Sequence, residues 1–230
     1  MRQWVFIHLP KTGGASFHTA LRAVAGDDAV SPNFIASSLS EEDAIRLDRY
    51  RIISGHISYG DVKRFFPGRS IVTILRDPVQ RCVSWYHFAR SIPPAPELPI
   101  DVVAAQANAI DAFFAQGHPV LHRNIYNRQV RQLGGHALDR EADHCLALEQ
   151  AKRTLTIAAW VGRQGSLDAD IEQLRTRFSE WKALAVPVLN KTRYATAPSP
   201  PQANVLERIQ ELNLYDIELY NFAARTLFNQ

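Results

Sequence analysis

The sequence has few of the residues that build disulfide frameworks or cysteine-ligated metal sites. Cys82 and Cys145 are the only cysteines among 230 residues. Neither belongs to a Cys-x-x-Cys pair or to a Cys/His cluster, which argues against both a zinc site and a disulfide framework. Two buried thiols in a reducing compartment are the simpler interpretation. We therefore expect a cytoplasmic protein whose activity requires no metal.

Long apolar runs and blocks of like charge are also missing. No stretch approaches the roughly 18 apolar residues of a membrane span, and the apolar segment WVFI near the N-terminus is shorter than the apolar region of a signal peptide. The net charge is +3, and the lysines and arginines form no block. We therefore expect no membrane span and no nucleic-acid partner. A weak positive charge suits an anionic small molecule or an acidic polymer.

Apolar strand patterns alternate with helical patterns along the chain. Strands are predicted in WVFI, RIISGH, SIVTIL and TIAAWVG. Helical patterns include one continuous helix in IDVVAAQANAIDAFFAQG and the segments 166–184 and 201–228. The alternation predicts a single α/β domain over residues 1–230, with a mainly parallel sheet flanked by helices and a helix-rich C-terminal half.

Two helix starts have specific signals. Ser40 followed three residues later by Asp43 predicts a capped helix over SEEDAIRL. Asp77 is a good N-cap, and Pro78 is a good first helical residue. The helix after Asp77 is therefore expected to begin directly at the end of the strand SIVTIL.

Three polar residues of different chemistry follow strand ends. Lys11 lies in the turn after the first strand, His56 ends the second and Arg76 follows the third. Ligands of parallel α/β sheets bind at the carboxyl ends of the strands. These three side chains are therefore expected to meet in one crevice.

The first strand leads into the glycine turn PKTGGAS and then into a helix. Such a turn exposes backbone N–H groups at the positive end of a helix dipole, which makes an anion site. Gly13 and Gly14 permit positive φ and close approach, Lys11 adds a charge, and Thr12 and Ser16 add hydroxyl groups. The lysine precedes the glycines, so the Walker A pattern G-x-x-x-x-G-K-[ST] is not met, and ATP or GTP hydrolysis is disfavoured.

A second anion-binding pattern lies in LRDPVQRCVS. Arg76 stands at the strand end, and Ser84 lies two turns into the next helix. A guanidinium is a planar donor suited to phosphate, and a serine adds a hydroxyl. Helical spacing places Asp77, Arg81 and Ser84 on one face. A salt bridge for Arg76 and a packing contact for Ser84 are the alternative interpretations.

Together, PKTGGAS, SGHISYG and LRDPVQRCVS resemble the motifs of sulfotransferases that use 3′-phosphoadenosine 5′-phosphosulfate (PAPS). Their order and spacing are similar to those of the carbohydrate sulfotransferases that include heparan sulfate 2-O-sulfotransferase. The resemblance implies a P-loop-like α/β fold, PAPS as co-substrate and no metal. Ala15 stands where this family usually has threonine, which leaves only the backbone N–H.

The resemblance also implies roles for individual residues. His56 matches the catalytic base, and Lys11 both binds the 5′-phosphosulfate and stabilises charge during transfer. The residues implied in binding PAPS are those of the turn and the later pair, namely Lys11, Thr12, Gly13, Gly14, Ala15, Ser16, Arg76 and Ser84.

The acceptor implied by this reaction is a small molecule or glycan with a hydroxyl group. Polar residues of the segment RNIYNRQVRQLGG could line the same crevice, or could form a solvated helix face. Those considered are Arg123, Asn127, Gln129 and Arg131. Trp85, Tyr86 and Phe88 are expected in the core. A non-catalytic nucleotide-binding module and a P-loop kinase or hydrolase remain as alternatives.

Overall fold

Five parallel strands form the centre of the fold. The computed structural model describes residues 2–35, 39–115, 123–135, 143–187 and 201–228. The strands lie in the order β2-β3-β1-β4-β5, and every pairing is parallel. They are β1 (Trp4–Ile7), β2 (Phe34–Ile35), β3 (Ile52–His56), β4 (Ser70–Leu75) and β5 (Trp160–Arg163).

Helices connect the strands and dominate the second half of the chain. The predicted α/β fold with a parallel sheet flanked by helices is confirmed. The helices are α1 (Gly14–Ala25), α2 (Glu41–Asp48), α3 (Tyr59–Phe65), α4 (Pro78–Ser91), α5 (Ile100–Ala107), α6 (Ile110–Ala115), α7 (Arg128–Leu133), α8 (His144–Ile157), α9 (Leu167–Arg177), α10 (Ala203–Glu211) and α11 (Leu214–Thr226).

Both predicted helix starts are present. The Ser40 hydroxyl accepts from the Asp43 N–H, and the two residues form a capping box at α2. At α4 the Asp77 side chain accepts from the Gln80 N–H at 2.9 Å, with Pro78 as the first helical residue. These local side-chain contacts fix where the helices begin.

The single helix predicted over 100–117 is wrong, because two helices form there. Asn108 is extended, with φ −121° and ψ 147°, and its side chain donates to the Ala104 carbonyl. Its own carbonyl accepts from the Tyr86 hydroxyl at 2.9 Å and from Arg90 at 3.0 Å. Contacts from α4 thus stabilise the break between α5 and α6. Gly117, the predicted end of this helix, lies outside the described residues.

Two other helical segments are also divided. The segment 201–228 forms α10 and α11, which meet at Asn213, and 166–184 forms α9 followed by one 3-10 turn at Ser179–Trp181. The short strand β2 was not predicted, because two residues show no periodicity.

The two faces of the sheet bury different layers. Trp4 and Phe6 point to one face of β1 and pack with residues of α1 and α9. Val5 and Ile7 point to the other face and pack with α7, α8 and α11. This alternation is the period of two expected for a strand buried on both sides.

Helices α7 and α11 cap each other at their N-termini. The Asp216 carboxylate accepts from the Val130 N–H at 2.8 Å and from the Gln129 N–H at 3.1 Å. In return, the Asn127 side-chain oxygen accepts from the N–H groups of Tyr215 and Asp216, both at 3.1 Å. The orphan donors of each helix are thereby satisfied by the other. This contact holds α7 against the end of the sheet.

Replacing Asp216 should destabilise the protein strongly. Asp216 and Arg81 are both fully buried, 3.9 Å apart, so Asp216→Ala leaves a buried guanidinium without its counter-charge. We expect a loss of about 3–5 kcal/mol in the free energy of unfolding, measured by urea denaturation.

A matched control lies on the same helix. Glu218 is 52% exposed and pairs with Lys152 at 2.7 Å, and Glu218→Ala should cost less than about 1 kcal/mol. Equal losses in the two variants would contradict the importance assigned to the buried pair.

Candidate functional site

A cleft of about 550 Å³ opens at the carboxyl ends of β1, β3 and β4. It is lined by Lys11, His56, Arg76 and Ser84, the residues predicted to converge. The prediction of a shared crevice is therefore confirmed, although their chemical roles stay predictions.

The turn after β1 presents an uncapped helix end to this cleft. Lys11 and Gly13 have positive φ, 67° and 87°, and α1 begins directly afterwards at Gly14. Within the described part of the chain, the N-cap residue Gly13 provides no side-chain cap for α1, and the first turn of this helix has no acidic residue. The first N–H groups of a helix have no intrahelical acceptor. Together with the helix dipole, they make this part of the cleft attractive to an anion.

The two glycines of the turn have different roles. Gly13 supplies the left-handed backbone that precedes α1. Gly14 permits close packing instead, because an added Cβ would lie 2.0 Å from Cδ2 of His8. The His8 ring thus occupies the space beside Gly14.

Thr12 turns away from the cleft. Its side chain is fully buried, and its hydroxyl donates to the Leu9 carbonyl at 2.9 Å. Gly13, Gly14, Ala15 and Ser16 do line the cleft. The Thr12 side chain therefore stabilises the turn internally and does not line the cleft.

The Lys11 amine lies over the Phe88 ring, 4.2 Å from its centroid. Burial, and then the neighbouring Arg76 charge, lower the pKa of Lys11 to about 8. The expectation that Phe88 lies in the core is wrong, since its side chain is 44% exposed and lines the cleft. Trp85 also lines the cleft but is buried, as is Tyr86.

Arg76 joins the strand end to the lysine turn. Its Nη1 donates to the Lys11 carbonyl at 3.0 Å. Its backbone is held by the Gln129 side-chain amide, which donates to the Arg76 carbonyl at 3.0 Å and accepts from the Arg76 N–H at 3.1 Å. Gln129 therefore continues the backbone hydrogen bonding of β4 by one residue. It thereby fixes the backbone position of Arg76.

Ser84 lines the cleft, whereas Arg81, three residues earlier on α4, does not. Arg81 is fully buried and donates to the Asn124 carbonyl at 2.7 Å and the Ile125 carbonyl at 2.8 Å. Its long side chain lets the guanidinium reach these backbone acceptors. Asp77, the third residue of the predicted face, caps α4.

The hydrogen bonding of His56 leaves one ring nitrogen available as a base. Its Nδ1 lies 2.7 Å from the His8 carbonyl, and a carbonyl only accepts, so Nδ1 carries the proton. The lone pair of the neutral ring is then on Nε2. Burial chiefly lowers the pKa of His56 to about 4, opposed by the bond to His8 and assisted by the charge of Arg128. His56 is therefore neutral at physiological pH.

His8 also lines the cleft, but its side chain is buried. Its ring stacks on His56, with centroids 4.2 Å apart, and on Phe6 at 5.4 Å. Burial first, and then His56, lower the pKa of His8 to about 3. His8 thus lies between the end of β1 and the turn.

The segment 123–135 contributes to the site in a way that the sequence predicts only in part. Arg123 lines the cleft, whereas Asn127 and Gln129 are buried in the contacts described above and Arg131 is buried. Arg128, which was not singled out in the sequence, is 4% exposed and lines the cleft. No short motif marks it, because its place depends on the contact between α7 and α11.

Over the described ranges, no group of three or more histidine, cysteine, aspartate or glutamate side chains is placed to hold a metal ion. None of the helices described is long and apolar enough to cross a membrane.

The cleft combines four cationic side chains, those of Lys11, Arg76, Arg123 and Arg128, with the start of α1 and a neutral histidine. Residues 15–122 match the family model of the sulfotransferase domain. The matched range contains His56, Arg76 and Ser84 and begins just after the lysine–glycine turn. No curated protein matches the sequence significantly.

Solved sulfotransferase structures are among the similar folds. A mouse sulfotransferase, SULT7A1, complexed with PAP, is 16% identical with a TM-score of 0.44, and the match covers 92% of this chain and 64% of that one. A sulfotransferase from Alicyclobacillus acidocaldarius is 12% identical with a TM-score of 0.48, covering 98% of this chain and 95% of that one. The chain thus spans about two thirds of the length of the mouse protein.

Gly14→Ala should disturb the turn through His8. The new methyl group would overlap the His8 ring, and forcing a side chain into a packed site costs about 1–3 kcal/mol. We expect that loss in the free energy of unfolding, measured by chemical denaturation.

Gly165→Ala is the matched control, since an added Cβ there meets nothing within 4 Å. Its effect should stay within about 0.5 kcal/mol. A Gly14→Ala protein as stable as this control would show that His8 moves aside freely.

Proposed function

We propose that the protein transfers a sulfuryl group from PAPS to a hydroxyl group of an acceptor. The observation that carries the proposal is the convergence of Lys11, the uncapped start of α1, Arg76, Ser84 and His56 on one cleft. The sulfotransferase-domain match over 15–122 supports it independently.

The residues of the cleft fit the two charged ends of such a donor. Lys11 and the N–H groups at the start of α1 suit the 5′-phosphosulfate, and Arg76 with Ser84 suits the 3′-phosphate. Phe88, Trp85 and Ile92 give the same cleft an apolar wall, which suits the adenosine between two anions. PAPS, when bound, would supply the sulfuryl group and a phosphate leaving group.

The chemistry required of the protein is alignment and charge stabilisation, as in phosphoryl transfer. Lys11 is placed to stabilise the negative charge that accumulates on the leaving phosphate. His56 Nε2 would accept the proton of the attacking hydroxyl, because Nδ1–H is held by the His8 carbonyl. The low pKa of His56 keeps this nitrogen unprotonated before transfer.

The acceptor is proposed to be a small molecule or glycan with a free hydroxyl. Similarity of SGHISYG to the corresponding motif of carbohydrate sulfotransferases favours a sugar.

Two measurements test the function. Calorimetry should give tighter binding of adenosine 3′,5′-bisphosphate (PAP) than of ATP, since only PAP places a phosphate at the Arg76–Ser84 pair. Transfer from ³⁵S-labelled PAPS to a panel of alcohols and sugars should then give a labelled product. Preference for ATP would indicate a kinase or hydrolase, and PAP binding without transfer or PAPS consumption would indicate a binding module.

The affinity for PAP should fall as pH rises above about 8. Lys11 has a pKa of about 8 in the unliganded protein, and only its protonated form attracts the phosphate. Above pH 8, binding must first protonate the amine, so Kd should rise by up to about tenfold per pH unit. Titration calorimetry from pH 7 to 9.5 measures the effect.

Lys11→Arg is the control for this pH dependence, because an arginine stays charged throughout that range. Its Kd for PAP should be nearly independent of pH. An equally steep rise in the arginine variant would assign the dependence to another group.

His56→Ala should lower kcat by about 10² to 10⁴ while leaving the Kd for PAP unchanged, because a general base acts on the acceptor proton and not on donor binding. Single-turnover transfer together with PAP calorimetry separates the two quantities. In the wild type, the acid limb of kcat/KM should lie near pH 4, where His56 becomes protonated. Normal turnover in His56→Ala would remove this residue from the role of base.

A further inference from the structure

Arg128 is a buried cation without a partner among the described residues. It is the first residue of α7, 4% exposed, and it lines the cleft. Its Nε and Nη1 are buried and have no hydrogen-bond partner there. It also forms no ion pair with a described carboxylate, unlike Arg69 and Arg163, which pair with Asp48 and Asp170.

A structural role does not explain such an arginine. Arg81, equally buried, uses its guanidinium to donate to two backbone carbonyls. A buried guanidinium that lacks such partners loses its hydration without compensation. Its energetic cost is offset when a ligand supplies the acceptors, as functional sites do for groups held in unfavourable surroundings.

The surroundings of Arg128 are strongly positive. Burial first, and then the charges of Arg131, Arg81 and Arg123, lower the pKa of Arg128 to about 9, against the attraction of Asp216. Arg128 is therefore still protonated at physiological pH. An anion would relieve this repulsion.

Arg128 belongs to the side of the cleft near the proposed base. Its charge acts on His56, whereas Lys11 is influenced by Arg76. Gln132, one turn later on α7, donates to the His8 carbonyl at 3.0 Å, the same oxygen that His56 contacts. The helix that bears Arg128 is thus tied to the end of β1, beside His56, where an acceptor hydroxyl must approach.

We propose that Arg128, with the exposed Arg123 at the same cleft, binds an anionic group of the acceptor. The acceptor would then be an alcohol that bears a carboxylate, a sulfate ester or a phosphate ester close to the hydroxyl that is sulfated. This inference rests on the proposed sulfuryl transfer, and it adds that the acceptor is anionic.

The test uses the full chain saturated with PAP, so that the donor's phosphate sites are filled. Calorimetric titration with acetate, sulfate and inorganic phosphate probes the remaining anion site. Wild-type protein should bind at least one of them saturably, and Arg128→Gln should weaken that binding at least tenfold. The anion bound most tightly identifies carboxylate, sulfate ester or phosphate ester as the acceptor's group.

Arg153→Gln is the matched control. Arg153 is exposed on α8, so this variant loses the same charge away from the cleft and should bind the anion as the wild type does. The inference is overturned if PAP-loaded wild type binds no anion saturably, or if Arg128→Gln binds it equally well.

Two further results separate this site from the donor site. A tenfold or greater loss of PAP affinity in Arg128→Gln would assign Arg128 to the donor and overturn the inference. Anion binding that also disappears in PAP-saturated Lys11→Met would place the anion at the transferred group, with the same consequence. Failure of wild type to bind PAP at all would instead refute the proposed function.

Thermal unfolding provides a readout that does not depend on ligands. Because no described residue pairs with the buried Arg128 guanidinium, Arg128→Met should unfold at the same or a higher temperature than wild type. A clear fall in Tm would mean that the protein itself satisfies the guanidinium, and the inference would be wrong.

Discussion

A single carbonyl oxygen, that of His8, organises the candidate site. It accepts from Nδ1 of His56 at 2.7 Å and from the side-chain amide of Gln132 at 3.0 Å. The first bond determines which nitrogen of His56 is available, and the second ties α7 to the end of β1. Because the same residue's ring packs beside Gly14, the position of the lysine turn and the tautomer of the histidine follow from one short segment of backbone.

The candidate cleft concentrates positive charge, since Lys11, Arg76 and Arg128 line it. Burial first, and then Arg76, lower the pKa of Lys11, whereas burial and then the charges of Arg131, Arg81 and Arg123 lower the pKa of Arg128. The buried Asp216 instead serves α7 and Arg81. A concave site lined by several cations favours binding of a multiply charged anion.

The parts of the fold that could be predicted from sequence are those with local causes. Strand β1 is a short apolar run, and the start of α4 follows from Asp77 and Pro78, whose contacts span only a few residues. The break at Asn108 could not be predicted, because it depends on Tyr86 and Arg90, which lie 22 and 18 residues away. A pattern of apolar residues continues through a break that only tertiary contacts create.

The residues of the candidate site also differ in whether their positions could be predicted from the sequence. Lys11, His56 and Arg76 could be predicted to meet, because strands β3, β1 and β4 are neighbours in a parallel sheet and their carboxyl ends lie along one edge. Arg128 follows no strand, and α7 is positioned by long-range contacts: with the start of α11, 86 to 89 residues away in sequence, and with the carbonyl of His8, 124 residues from Gln132. The cationic residues that follow strands are therefore readable as motifs, whereas Arg128, which helix packing supplies, becomes visible only when the helices are in place.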